Sequence, residues 1–274
     1  MTVILPHAVL PHASAATLLP SERHPGARPA RSARPVPPAP LLPELSKLLA
    51  RLPVQDDANV LRKSLFHAGT HFNPDLLTSE AERRARLEGV HAALDRAESL
   101  VFLDTESTGG RNGRLIEVGL VETDVEQNIT GGLHFRCNPH RRSLARARRV
   151  HGIQDCELEH CPEFAARADE LLEAVRGKTV VIHDRTMDLL WLNRELQAAR
   201  PGAPRFEDCC TVVDSFVLAR AIPSERRRNG LDALLEWYGL GARGGHHDAY
   251  GDAALLSRVF FELWWDLDEW LYGE

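Results

Sequence analysis

The chain has 274 residues, 43% of them apolar, and carries 39 acidic against 33 basic side chains for a formal net charge of −6. That length supports one substantial core plus extensions, and the negative balance argues against wide electrostatic capture of a polyanion. No uninterrupted apolar run approaches the roughly 20 residues that span a bilayer, so no membrane partner is expected.

The N-terminal segment lacks a basic region ahead of its apolar residues, and Pro6 and Pro11 interrupt it, so no signal peptide is expected. Ten of the 17 prolines fall in the first 43 residues, and no aromatic precedes Phe66. Such a stretch cannot bury enough apolar surface to offset its ordering entropy, so residues 1–42 read as a disordered Pro/Ala/Arg-rich tail. Residues 43–98 read as a helical extension. Leu45, Leu48, Leu49 and Leu52 suggest a short amphipathic helix. Ser79 to Ala97 suggests a second, with a Ser79/Glu82 capping-box pair and an apolar stripe of Leu87, Val90 and Leu94.

A third segment, residues 99–272, has the pattern of a complete α/β domain. A strand at Leu100–Asp104 is followed by strands at Arg114–Thr123 and Gly132–Cys137, the start of an antiparallel meander. A helix over Pro162–Val175, a strand at Thr179–His183, a helix to about Ala199 and a short strand near Cys210–Asp214 come next. Helices over Asp214–Ala221, Leu231–Tyr238 and Asp248 to about Trp270 complete the series. Hairpin-linked strands followed by βα alternation predict a mixed sheet flanked by helices. Five cysteines, an odd number with no C-x-x-C pair, fit a reduced, cytoplasmic setting. Cys156, His160 and Cys161, with His151 nearby, match no common zinc spacing and read as a loop with incidental thiols. Cys209 and Cys210 are expected to pack as small hydrophobes in the last short strand.

Chemistry enters at VFLDTESTGG (Val101 to Gly110). A strand-like run delivers Asp104 and Glu106 two residues apart, hence on one face, where like charges repel unless a cation lies between them. KTVVIHD (Lys178 to Asp184) is a second β-branched run, with Asp188 four residues past its end, and HHDAYGDA (His246 to Ala253) places His247 five residues before Asp252. This ordered set, together with LIEVG, VHGI, VVDS and NGLDAL, resembles the DEDDh (DnaQ-like) family of 3′–5′ exonucleases over roughly Ser99 to Leu263. The resemblance implies a ribonuclease-H-like fold with a five-stranded sheet. It also implies that Asp104, Glu106, Asp188 and Asp252 bind two Mg²⁺ or Mn²⁺ ions and that His247 is the general base. In this sequence Tyr250 lies only two residues before Asp252 and cannot replace the histidine, and His246 is one residue out of register.

The same resemblance suggests single-stranded DNA 3′ ends as substrate, released as nucleoside 5′-monophosphates in proofreading or repair, with a DNA polymerase subunit as a possible partner. RNA 3′ ends are the alternative, since one catalytic set serves both polymers; a non-catalytic binding module is the second alternative. Thr105, Ser107, Thr108, His151 and Met187 are expected near the terminal nucleotide. Asp184 replaces the family's usual Asn, Met187 its common Phe, and RKSLF (Arg62 to Phe66) is a poor echo of a clamp-binding peptide. Glu117 is open between facing the nucleotide and an internal partner. Asp214 is expected to cap the following helix and Asp232 to be structural. Two arginine clusters, Arg141, Arg142, Arg146, Arg148 and Arg149, and Arg226, Arg227 and Arg228, flank site motifs and suggest phosphate tracking.

Overall fold

The computed structural model describes residues 79–273; the tail and the first expected amphipathic helix lie outside the described residues. The second expected helix is α1, Glu80–Leu94. The Ser79 side chain accepts from the Glu82 amide at 3.2 Å and so caps its first turn.

Five strands follow: β1 Ser99–Ser107, β2 Leu115–Asp124, β3 Ile129–Arg136, β4 Thr179–Ile182 and β5 Thr211–Asp214. They form one sheet in the order β3-β2-β1-β4-β5. β1 pairs antiparallel with β2, and β2 with β3. β1 pairs parallel with β4, and β4 with β5. The helices are α2 Ala145–His151, α3 Asp155–Leu158, α4 Ala168–Val175, α5 Thr186–Ala199, α6 Phe206–Cys209, α7 Ser215–Ala221, α8 Leu231–Trp237 and α9 Ala249–Tyr272. This is the expected mixed five-stranded sheet flanked by helices.

The central strand β1 is apolar without alternation because helices cover both of its faces. Leu100 and Phe102 point with Val121, Val181 and Val213 into one core, against Leu256, Phe260, Leu263 and Trp264 of α9. Val101 and Leu103 point with Val118, Val180 and Ile182 into the other, against Leu171 of α4 and Leu189 and Leu192 of α5. Each fully buried Leu or Phe contributes about 1.5–3 kcal/mol. By the same alternation Asp104 and Glu106 fall on the α9 side and Thr105 on the α5 side. Leu87, Val90 and Leu94 of α1 join the α9 core, and Arg84 Nη1 donates to the Leu271 carbonyl at 2.7 Å.

Three local expectations need correction. The helix expected over Pro162–Val175 is a 3₁₀ turn at Phe164–Ala166 followed by α4. The Pro162 carbonyl accepts from the Asn138 amide at 2.9 Å, which ties the start of this segment to the end of the meander. Cys209 and Cys210 precede the last strand: Cys209 closes α6 and Cys210 follows it. Their thiols face the carbonyls four residues back, at 3.6 and 3.4 Å, as helical turns allow. Helices α2 and α3 were not anticipated, because an arginine-rich stretch with few apolar residues shows no amphipathic stripe.

Candidate active site

Two local devices bring the acidic residues to the site. Asp104 and Glu106 end β1, and a register shift between Glu106 and Ser107 breaks the ladder just beyond them. Asp188 and Asp252 lie in the first turns of α5 and α9, where the helix dipole favours negative charge. Asp248 starts α9 by accepting from the Tyr250 and Gly251 amides at 3.1 and 3.4 Å. His247 precedes it on a loop held to α2 by its amide, which donates to the Val150 carbonyl at 2.9 Å.

The side chains converge. His247 Nδ1 lies 3.8 Å from Glu106 Oε1 and 3.6 Å from Asp252 Oδ2, and the ligand atoms of these three residues all fall within 4.8 Å of one another. Asp188 Oδ1 accepts from Thr105 Oγ1 at 2.6 Å, which ties α5 to β1. Desolvation, then the charges of Asp188, Glu106 and Asp252, push Asp104 well above the usual carboxylate range. Burial first, then Asp252, Glu117 and Asp188, raise Glu106 to about 8. Burial likewise raises Asp188 to about 7, against the bond from Thr105, and Asp252 to about 6, against the charge of Arg243. Four carboxylates that cannot all ionise comfortably, offering only hard oxygen donors, fit divalent cations of the Mg²⁺ or Mn²⁺ type. His247 is held below its ordinary value by burial and by Arg243, so it is neutral near pH 7.

Arg243 is the site residue that the sequence reading missed. Its Nη1 lies 2.7 Å from Asp252 Oδ2 and 2.7 Å from His247 Nδ1, and its Nε lies 2.9 Å from Asp232 Oδ1. A lone arginine in the glycine-rich run GLGARGG has no periodic partner; its position four residues before His247 is the one available signal.

The other expected residues are placed as follows. Thr105, Ser107 and Thr108 are buried. Ser107 Oγ accepts from the Gly109 amide at 3.1 Å and Thr108 Oγ1 from the Arg114 amide at 3.0 Å, so both shape the turn beside the carboxylates. His151 is buried; its Nδ1 accepts from the Ile153 amide at 3.0 Å, while its Nε2 has no protein partner. Met187 is half-buried next to Asp188. Asp184 has φ +55°, a conformation that Asn and Asp tolerate better than most residues. Glu117 has internal partners: Arg136 Nε at 2.7 Å, His134 Nε2 at 3.1 Å and the Ala249 amide at 3.1 Å. Burial opposes its ionisation, but these bonds prevail and lower it to about 2. Its grouping with His134 and Asp248 is therefore a tie between β2, β3 and α9. Asp214 caps α7, accepting from the Phe216 and Val217 amides.

The arginine clusters divide. Arg226 is buried, donating to Asp266 at 2.6 Å and to the Ala219 carbonyl at 3.1 Å, so it is structural. Arg148 pairs with Asp155 at 2.7 Å, and Arg141 donates to the Asn112 carbonyl at 2.8 Å. Arg142, Arg146 and Arg149 stand exposed on or just before α2, beside exposed Leu144 and Val150.

The described residues include no helix long and apolar enough to cross a membrane. The model of the family described as Exonuclease matches residues 101–260. The DNA polymerase III subunit epsilon of Rickettsia conorii is 36% identical over 168 residues, 60% of this chain and 72% of the relative. That of Escherichia coli K12 is 33% identical over 172 residues, 60% and 70%. Among solved structures, E. coli exonuclease I in complex with a dT13 oligonucleotide superposes with a TM-score of 0.51 at 19% identity. That match covers 63% of this chain but only 41% of exonuclease I. A 3′-exonuclease solved for its 3′-end recognition of a histone mRNA stem-loop gives 0.52 at 14% identity, over 62% and 83% of the two chains. Both structural likenesses concern the fold.

Proposed function

The chain belongs to the exonuclease family, DnaQ-like in kind, and from that premise we propose a metal-dependent 3′–5′ exonuclease that releases nucleoside 5′-monophosphates from single-stranded DNA 3′ ends. The observation that carries the reading is the approach of Glu106 and Asp252 to His247, with Asp104 and Asp188 close enough to bear on the same carboxylates. A decayed binding module would have little reason to keep four mutually repelling carboxylates together.

The four carboxylates would hold two divalent ions, Mg²⁺ or Mn²⁺, which when bound neutralise phosphate charge and lower the pKa of water. Neutral His247 takes the proton of the attacking water as general base. Thr105 fixes the rotamer of Asp188 through the 2.6 Å bond. His151, with Nε2 unpartnered, and Met187 flank the position of the terminal nucleotide, and the turn Ser107–Thr108 supports it. Exposed Arg142, Arg146 and Arg149 follow the strand's phosphates, while Leu144 and Val150 offer apolar surface to its bases. Likeness to the epsilon subunits supports a proofreading or repair role beside a polymerase subunit. A cytoplasmic setting is part of this reading.

The test is incubation of the full chain with 5′-labelled single-stranded DNA and RNA, with Mn²⁺, with Mg²⁺ and with chelator. Metal-dependent shortening of DNA by single nucleotides from the 3′ end is expected. Faster shortening of RNA would reassign the substrate, and no cleavage of either polymer would refute the enzyme reading.

A further inference from the structure

Arg243 stands inside a cluster built for cations. Its guanidinium bridges Asp252 Oδ2 and His247 Nδ1, both at 2.7 Å. Its side chain is 13% exposed and that of Asp252 only 3%, so the pair is shielded from solvent screening. Its charge also bears on Asp104 and Glu106. A divalent ion held by either oxygen of Asp252 would lie beside this guanidinium. Two cations cannot share that position without repelling each other.

The anchorage of Arg243 is of a kind that can let go. Outside the carboxylate cluster its Nε pairs with Asp232, whose side chain is 72% exposed, a pairing of small worth. The flanking chain is glycine-rich: Gly241 has φ +93°, and a Cβ at Gly241, Gly244 or Gly245 would meet nothing within 4 Å. The segment can therefore move without disturbing a packed core.

We propose that Arg243 is a positioning residue, a built-in cation that holds Asp252 and His247 together and competes with the metal for Asp252, withdrawing as the metal binds. This rests on the metal-dependent reading above. Binding then exchanges one ion pair for another, so metal affinity is set lower than four converging carboxylates would otherwise give. The displaced guanidinium stays tethered beside the site by its loop.

Mn²⁺ titration calorimetry and melting in chelator test this on the full-length wild type and on Arg243→Ala, Arg243→Gln and Asp232→Asn. Removing the guanidinium should tighten Mn²⁺ binding by roughly tenfold or more and lower the melting temperature in chelator. Asp232→Asn, which touches no proposed metal ligand, should tighten binding by about two- to fivefold while the fold is kept. Unchanged or weaker Mn²⁺ binding in the folded variants overturns the competition. Failure of wild type itself to bind Mn²⁺ overturns the functional reading instead, so the two failures are told apart. If both Arg243 variants fail to fold, Asp232→Asn alone decides.

Discussion

Gly119 of β2 lies directly under Ala249, the first residue of α9. A Cβ built on Gly119 would fall 2.1 Å from the Ala249 carbonyl carbon and 2.2 Å from the Tyr250 amide nitrogen. Gly119 is also the register partner of Asp104. The missing side chain thus lets the N-terminus of α9, with Asp252 in its first turn, descend onto the strand pair that carries the first acidic residues. Because the clash is with backbone, Gly119→Ala must lift the start of α9. The expected cost is about 1–3 kcal/mol of stability, with roughly 100-fold less turnover from displaced ligands. Thermal melts and single-turnover assays check it; a variant with normal turnover would show that α9 is not held by this approach.

How much of this was legible in the sequence depends on how local each cause is. The strands announced themselves through β-branched runs, α1 through Ser79 and its 3–4 spaced leucines and valine, and α7 through Asp214. The shared face of Asp104 and Glu106 was readable from the two-residue strand period, whereas Asp188, Asp252 and His247 came from the family resemblance rather than from any period. Arg243 was not readable, because what places it is a tertiary encounter with Asp252 and Asp232 across a glycine-rich loop. Arg226 was misread for a related reason. One basic run holds a buried ion-paired residue and two exposed ones, and burial is decided by Asp266, 40 residues away. Glu117 could not be resolved between its two readings until Arg136 and His134 on β3 came alongside it.

The acidic cluster makes stability pH-dependent in chelator. Folding raises Glu106 from 4.5 to about 8, Asp188 from 3.8 to about 7 and Asp252 from 3.8 to about 6. The folded state therefore holds these protons more tightly than the unfolded state. That stabilisation is full below about 4 and is lost as pH rises through 6 to 8. The melting temperature in chelator should fall between about pH 5 and 8, and Mn²⁺ should remove the fall. Asp104→Asn, which deletes one repelling charge, should abolish hydrolysis yet raise the melting temperature in chelator at pH 7.5. A melting temperature that is flat or rises across this range in chelator would contradict the crowding of carboxylates.

Exposed and buried arginines should separate in one set of measurements. Arg226→Ala strips Asp266 of a buried partner and should cost about 3–5 kcal/mol. The triple change of Arg142, Arg146 and Arg149 to Ala should leave the melting temperature nearly unchanged. It should reduce the slope of log affinity against log salt for a single strand by about 2, as loss of three phosphate contacts requires. Fluorescence anisotropy over a salt series, on a catalytically silent Asp104→Asn background, measures it. An unaltered slope would remove α2 from the strand's path.

The base assignment distinguishes two neighbouring histidines. His247 faces Glu106 and Asp252, whereas the His246 ring packs against Gly152, where an added Cβ would come within 2.8 Å of it. Gly152, at φ +73°, is the turn that ends α2. His247→Ala should lower turnover by the roughly 10²–10⁴-fold typical of a general base while Mn²⁺ still binds. Burial and the Arg243 charge hold the His247 imidazole below its ordinary value. The acidic limb of the wild-type rate profile should flatten when His247 is removed. His246→Ala should keep both the rate and the limb. If the limb survives without His247, or if His246→Ala proves the more damaging change, the proton is taken by another group and the role assigned to His247 is wrong.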